Sequence, residues 1–361
     1  MNIVLCDKQF NAIALLNNYK SVIWNTKFYD VGDFEIYLPV IDNDILEKAN
    51  LFEYIYINDK DNLRIITSIK ISYTTDDGYI LIISGHTLNY LLKNRIVWNQ
   101  TNFSNADGAT IIEDLVYNNS VVGYCDSKRE LLDGTYISGY LGENISSQYY
   151  GETLFDVVKG LCEQYKYGFY INIGYDNKFY FSIKTMTDRT KGTEYWMYYP
   201  PIVFDTRINN VLNFDINFEG ENYKNVELIL GEGDGVSRLR KTVNDSTYTK
   251  LNRFEVYVNA QDLSQNNNTS QVITQSEYEK ILEQRGLKKL ESYKINKTLE
   301  CTVDPTFYKY KADYSEGDIC TVITPFMEQN FLITEVTECW NENGYSVTLT
   351  LDPNYNVEGD E

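Results

Sequence analysis

The sequence predicts a predominantly β protein of the α+β class, and three observations carry that prediction. Among 361 residues there are 32 tyrosines and 16 phenylalanines but only six prolines, a composition suited to strands and broad aromatic packing surfaces. Apolar residues alternate over many short runs, most clearly in residues 21–39, SVIWNTKFYDVGDFEIYLP; such period-two spacing places one side of a strand on a core. Acidic, glycine-bearing segments separate those runs and read as turns. The length allows a large core and suggests two or three domains.

Taken in order, residues 3–5 predict a short strand and residues 10–16 a second apolar segment. In residues 21–39, Val22, Trp24, Thr26 and Phe28 share one face of a strand, and Phe34, Ile36 and Leu38 share one face of the next. Asp30-Val31-Gly32-Asp33 is predicted as the turn between them, with Gly32 supplying a positive φ. Pro39, which has no amide to donate, ends the second strand. Asp44 is expected to cap a short helix through Lys48. Residues 51–57 read as a strand with Phe52, Tyr54 and Tyr56 on one face. Residues 63–73 and 79–84 form a second hairpin through Asp76-Asp77-Gly78. His86 falls at its end, and Leu88, Leu91 and Leu92 make an amphipathic turn. Residues 1–104 therefore predict one small barrel or sandwich.

A mixed segment follows. Asp107 is placed to cap a helix bearing Ile111, Ile112, Leu115 and Val116 on one face, ended by the polar residues 118–120. Residues 134–151, rich in Gly, Ser and Tyr, predict irregular or edge structure with exposed aromatics. Thr153 is expected to cap a helix carrying Leu154, Val157, Val158, Leu161 and Tyr165, with Gly168 as its stop. Residues 169–173 and 178–184 pair through residues 174–177. Residues 105–200 thus form an α+β lobe, ending at Pro200-Pro201.

Beyond it, residues 211–218, 225–230 and 253–258 read as strands, and residues 265–270 as a solvated polar loop. A helix is predicted over residues 275–293, with Tyr278, Ile281 and Leu282 on one face and Gly286 costing about 1 kcal/mol relative to alanine. Residues 299–303, 318–323, 331–337 and 345–351 predict a terminal β-meander, and residues 354–361 a frayed tail.

The formal charge of −20, from 52 acidic and 32 basic residues, argues against a nucleic-acid clamp, which needs a basic stripe. Cys6, Cys125, Cys162, Cys301, Cys320 and Cys339 are scattered without a C-x-x-C pair, which predicts reduced and mostly buried thiols in a protein made in a reducing cytosol. No apolar run approaches the roughly 18 residues of a membrane span, so no membrane insertion is expected.

Catalytic signatures are weak. His86 is the one histidine, so no histidine-based zinc cluster can form, and a structural role is its ordinary reading. Gly231-Glu232-Gly233-Asp234-Gly235 follows a strand, but its third glycine falls one place short of a dinucleotide fingerprint. Asp215, Asn217 and Glu219 imitate half a calcium loop, yet Ile216 and Phe218 alternate between them like a strand and Val226 stands where a bidentate glutamate belongs. No catalytic, cofactor or metal residue is assigned. Tyr149-Tyr150, Tyr198-Tyr199 and Tyr308 with Tyr310 are candidates for local packing, for glycan-stacking platforms or for protein interfaces, and of the two functional readings interfaces are favoured.

Trp24, Phe28, Gly32, Phe34, Glu35, Leu38 and Pro39 resemble the N-terminal signature of siphophage tail hub proteins, relatives of the baseplate hub of contractile tails. Gly85 with Leu91, Leu92 and Arg95, then Asn225-Val226 with Gly231, residues 253–258 with Asp262-Leu263, and Tyr314-Ser315-Glu316-Gly317-Asp318 agree in the same order. The structural motif is therefore expected at Trp24, Phe28, Gly32, Phe34, Pro39, Gly85, Arg95, Gly317 and Asp318.

The resemblance implies two related barrel-like domains, residues 1–104 and 201–361, the second with a helical insertion, with the α+β lobe between them. It implies a homotrimer that presents a quasi-sixfold face to the tail tube and meets distal tail, tail-tip or fibre proteins. DNA would pass through without specific binding, along an acidic wall. A virion tail or a phage-like particle is the expected location. The chain ends soon after the meander, so lysis or fibre activities are expected in another subunit. A receptor- or glycan-binding tail protein and a peptidoglycan hydrolase stand as the alternatives.

Overall fold

The computed structural model describes residues 1–39, 44–76, 78–137, 142–193, 198–265 and 273–353, and within them strands predominate as expected. The first part comprises β1 (Ile3–Cys6), β2 (Ala12–Leu15), β3 (Ser21–Lys27), β4 (Asp33–Pro39), α1 (Asp44–Lys48), β5 (Tyr54–Ile57), β6 (Arg64–Thr74) and β7 (Gly78–Thr87), then a 3-10 turn over Leu88–Asn94. A mixed lobe contributes β8 (Thr101–Ala106), α2 (Gly108–Ser120), β9 (Gly134–Tyr136), β10 (Ile145–Tyr149), α3 (Leu154–Tyr165), β11 (Gly168–Ile173) and β12 (Phe179–Lys184). Short β13 (Thr187–Asp188) and β14 (Val203–Asp205) precede β15 (Val211–Glu219). A unit of β16 (Val226–Leu230), β17 (Arg240–Val243), β18 (Glu255–Asn259) and α4 (Gln275–Glu291) is inserted next. The chain returns through β19 (Asn296–Val303), β20 (Asp318–Thr324), β21 (Met327–Asn341) and β22 (Gly344–Asp352).

One sheet runs through both ends of the chain in the order β15-β19-β22-β21-β3-β4-β7-β6-β5-β1-β2, with β20 also on β21 and β13 and β14 parallel to β20. Its seam is the antiparallel pairing of β21 with β3, in the register Val336 with Thr26, Glu338 with Trp24 and Trp340 with Val22. Asn25, buried on β3, donates across this seam to the hydroxyl of Thr337 at 2.9 Å and to the Glu335 carboxylate. Strands some 310 residues apart in sequence are thereby joined edge to edge.

Alternation buries Phe34, Ile36 and Leu38 of β4 with Val22 and Trp24 of β3, in a core shared with Ile55, Ile66 and Ile83. Each such fully buried side chain stabilises by about 1.5–3 kcal/mol. A second core fills the mixed lobe through Ile111, Leu115, Val158 and Phe169. A third lies under β19–β22 through Leu299, Val322, Ile333 and Leu349. A fourth joins α4 to β16 through Tyr278, Leu282 and Ile229. The predicted caps form: Asp107 accepts from the amides of Ala109 and Thr110, and Thr153 from that of Asp156.

Several expectations are corrected. Gly32 is not among the positive-φ glycines; a β-carbon there would lie 2.3 Å from the Asn25 carbonyl oxygen, so close backbone approach is what requires glycine. In β5 the buried residues are Ile55 and Ile57, while Phe52 is exposed with φ 63°. Residues 118–120 belong to α2, with Asn119 and Ser120 buried. All five residues of β10 are buried, Tyr149 included, because β10 lies between β8 and α4. Lys166, at φ 60°, closes α3 in the left-handed conformation, and Gly168 instead starts β11. Residues 211–219 and 226–230 are both strands, but in different sheets. The predictions at Asp77, over residues 266–270 and over residues 354–361 lie outside the described residues, as does the side chain of Asp44.

Candidate functional site: a glycine-lined aromatic junction

The residues expected as a structural motif mostly gather along the seam, and Phe28 is their centre. After β3 the backbone leaves the sheet with the Phe28 amide donating to the Thr334 carbonyl at 2.8 Å, while the Phe28 carbonyl accepts from the Phe169 amide at 3.3 Å. The ring then lies against two bare glycines. A β-carbon on Gly168, at the start of β11, would come 2.4 Å from it, and one on Gly317, just before β20, also 2.4 Å. Gly317 holds φ 91°, a conformation strained for side-chain-bearing residues, and its amide donates to Ile333 at 2.8 Å. Ile319 and Leu332 complete the contact. One aromatic ring thus sits where the β3–β4 connection, the mixed lobe and the β20–β21 hairpin meet.

A second layer lies along β3, β4, β7 and β6. Trp24 and Phe34 pack with ring centroids 5.1 Å apart. A β-carbon on Gly85 would fall 2.0 Å from the Ile65 carbonyl oxygen and 2.9 Å from the Phe34 ring. Arg64 spreads its guanidinium over the Trp24 ring, 4.3 Å from the centroid. It donates to the Asp33 carbonyl at 3.0 Å, to the Thr26 hydroxyl at 2.8 Å and to the Asn25 carbonyl. Burial pushes this guanidinium down to about 10, and the three acceptors offset that cost. Asp30, predicted to bond a neighbouring amide, accepts from that of Val31 at 2.7 Å and pairs with Lys159 of α3.

The acidic end of the motif is buried too. Asp318 accepts from the Ser315 amide at 2.9 Å and faces Arg189 at 3.4 Å, while burial pushes its carboxyl above the ordinary value. Burial pushes Glu316 the same way, but Lys184 at 3.0 Å and the Tyr310 hydroxyl, donating at 2.7 Å, hold its carboxyl below the ordinary value. Arg95 and Pro39 lie elsewhere. Arg95 donates to the carbonyls of Arg129 and Glu130 at 2.7 and 3.2 Å in the mixed lobe, and Pro39 pairs with Ile80 at the far end of β4. Sequence reasoning missed Arg64 and Gly168 as members of the junction; their signals were an arginine entering a run of isoleucines and a glycine ahead of an aromatic strand.

The remaining candidates resolve into packing. His86 stacks on Tyr90 at 5.0 Å, and burial lowers its pKa. Gly235–Ser237 is a single 3-10 turn with no helix to receive a phosphate. Asp215, Asn217 and Glu219 sit on β15, and among the described residues no three acidic, Cys or His side chains are grouped to hold a metal. All six thiols are free, with Cys6, Cys162, Cys301 and Cys320 buried. Tyr308 and Tyr310 pack on Phe204 and Tyr314, whereas Tyr150, Tyr198 and Tyr199 are exposed. No described helix is long and apolar enough to cross a membrane.

Two antiparallel strand pairs leave apolar surface uncovered. At the outer end of β6 and β7, Ile71, Tyr73 and Tyr79 are exposed, the two tyrosine rings 4.8 Å apart. At the outer end of β15 and β19, Ile216 and Phe218 are exposed, with Ile295 just before β19. Among the described residues β15 is paired on one side, to β19.

No curated protein matches the chain in sequence. Solved structures do. The 43 kDa tail protein of prophage MuSo2 from Shewanella oneidensis is similar with a TM-score of 0.55 at 12% identity, over 98% of this chain and 99% of its own. A tail protein from Neisseria meningitidis MC58 gives 0.55 at 15% identity, over 98% and 96%. Prophage tail protein gp18 from Listeria monocytogenes EGD-e gives 0.51 at 11% identity, over 98% and 95%. The model of the Siphovirus ReqiPepy6 Gp37-like family matches residues 2–351. With the junction in place and its fold that of the prophage tail proteins, the chain belongs to the Siphovirus ReqiPepy6 Gp37-like family.

Proposed function

We propose that this siphovirus-type tail protein is the tail hub, a structural component that joins the tail tube to the tail tip or baseplate and works without catalysis. The observation that carries the reading is the unbroken sheet locked at the Phe28 junction: it ties the two β-rich ends of the chain together, as a connector under mechanical force requires. Residues 1–104 and 201–361 are the two hub barrels in this reading, and residues 105–200 the lobe directed away from the tube. The nine motif residues are structural in role: Phe28 and Gly317 touch at the junction, Trp24, Phe34 and Gly85 form the layer beside it, Gly32 lies against Asn25 and Asp318 follows Gly317, while Arg95 and Pro39 lie elsewhere. The strand ends bearing Ile71, Tyr73, Tyr79, Ile216 and Phe218 are covered by neighbouring copies and tube subunits in this reading.

Three copies form the ring, and the excess of carboxylates lines a DNA channel that repels the passing phosphates. The protein is a component of the virion tail, synthesised in the host cytoplasm. Native mass measurement of the purified protein, alone and mixed with tail-tube and distal-tail subunits, tests the reading. Trimers and tube-bound complexes are expected; a persistent monomer that binds neither partner overturns it.

A further inference from the structure

Glu227 is fully buried at the middle of the inserted unit, on the central strand β16 and facing α4. Neither of its carboxylate oxygens has a hydrogen-bond partner. Its oxygen Oε2 lies 2.5 Å from where a β-carbon on Gly286 of α4 would stand, beside the Ile229 side chain at 2.6 Å. Gly286, whose cost to the helix is evident in the sequence, is therefore the notch that lets α4 close over this carboxyl. On β17 and β18 the residues opposite Glu227 are Val243 and Val256, both apolar.

The charged groups around it give little help. Lys289 of α4 is the one whose charge reaches Glu227. Lys241 of β17 is turned to Glu283 of α4 at 3.3 Å, and Glu255 of β18 is held by Arg253. A carboxylate cannot stay ionised in such a site without a large desolvation cost. Burial pushes Glu227 up to about 7, the Lys289 charge lowering it by a smaller amount.

We propose that the inserted unit is a pH-released flap, in which ionisation of the buried Glu227 loosens α4 from the β16–β17–β18 sheet. A folded-state value raised above the ordinary 4.5 means that the closed unit is most stable below that value and weakens as pH rises toward and through 7. Release of α4 also reaches the neighbouring lobe. The other side of α4 meets that lobe, where the Lys288 stem lies over Gly160. Gln148 of β10 clasps the backbone of Ser264, accepting at 2.9 Å and donating at 3.1 Å. Opening α4 therefore frees the helix's own contacts with the lobe, while the Gln148–Ser264 clasp tethers the rest of the inserted unit.

Hydrogen exchange of the α4 amides in the full chain, corrected for intrinsic exchange rates, tests this at pH 5.5 and 8.5. With Glu227 at about 7 closed and 4.5 open, opening should be roughly thirtyfold more frequent at the higher pH. Glu227→Gln should abolish that dependence while the wild-type pattern persists in the rest of the chain. Equal protection of wild-type α4 at both values, or an unchanged dependence in the variant, overturns the proposal. Should the variant fail to fold, an isotope-edited carboxyl titration of wild-type Glu227 replaces it: a midpoint above about 6 supports the flap and a lower one overturns it.

Discussion

The ring of Phe28 lies so close to Gly317 that a β-carbon on the glycine would stand 2.4 Å from the ring edge. Ring and glycine belong to opposite ends of the chain, so this contact reports directly on the seam. Gly317→Ala should cost at least about 2 kcal/mol, from the clash and from φ 91°. Phe28→Ala should cost about 3–5 kcal/mol. In the double variant the clash disappears, so its loss in denaturant unfolding should be smaller than the sum of the two separate losses. Strict additivity would remove the contact from the junction.

Gly32 provides a sharper test of mechanism. If it served a positive-φ turn, asparagine would be tolerated better than alanine. Its constraint is instead the Asn25 carbonyl oxygen, 2.3 Å from where a β-carbon would stand. Gly32→Asn and Gly32→Ala should therefore lose similar stability, with Gly32→Val worse. Thermal midpoints of the three variants check this; a well-tolerated asparagine contradicts it.

Arg64 joins three backbone and hydroxyl acceptors to the Trp24 face. Arg64→Met should leave those acceptors unpaired and lower stability by about 2–4 kcal/mol. Arg64→Lys should recover little of it, since an ammonium cannot reproduce the planar fork. Chemical denaturation distinguishes this from a dispensable buried charge, which methionine would replace without loss.

Glu316 predicts an acid-side effect. Its carboxyl is held below the ordinary 4.5 by Lys184 and Tyr310 against the opposing influence of burial, so its contribution is present above that value and fades as pH falls through the lower folded value. Glu316→Gln should therefore cost, at pH 7, about the 1.5–3 kcal/mol typical of hydrogen bonds to a charged group, and progressively less below pH 4.5. Unfolding midpoints measured across that range check the sign; a loss that grows on acidification contradicts it.

Much of this organisation was legible in the sequence because local rules govern it. Alternation located β3, β4, β6 and β7, and side-chain caps at Asp107 and Thr153 located α2 and α3. The seam was not legible, since nothing local in residues 21–27 specifies pairing with residues 335–340. Glycine was harder still. Gly32, Gly168 and Gly286 read as a turn, a helix stop and a weak helix position, yet each exists to admit a neighbour: a carbonyl oxygen, the Phe28 ring and the Glu227 carboxyl. Burial of β10 was hidden because its Ser-Ser-Gln composition is polar, and its cover, α4, comes more than a hundred residues later.

The hub reading is tested most directly by native mass measurement of the purified protein with and without tail-tube and distal-tail subunits. Wild type should form a trimer or a defined complex with those partners. Phe218→Asp and Tyr73→Asp, which alter exposed strand ends, should retain the wild-type unfolding midpoint while losing that assembly. A wild-type protein that stays monomeric and binds neither subunit would contradict the hub.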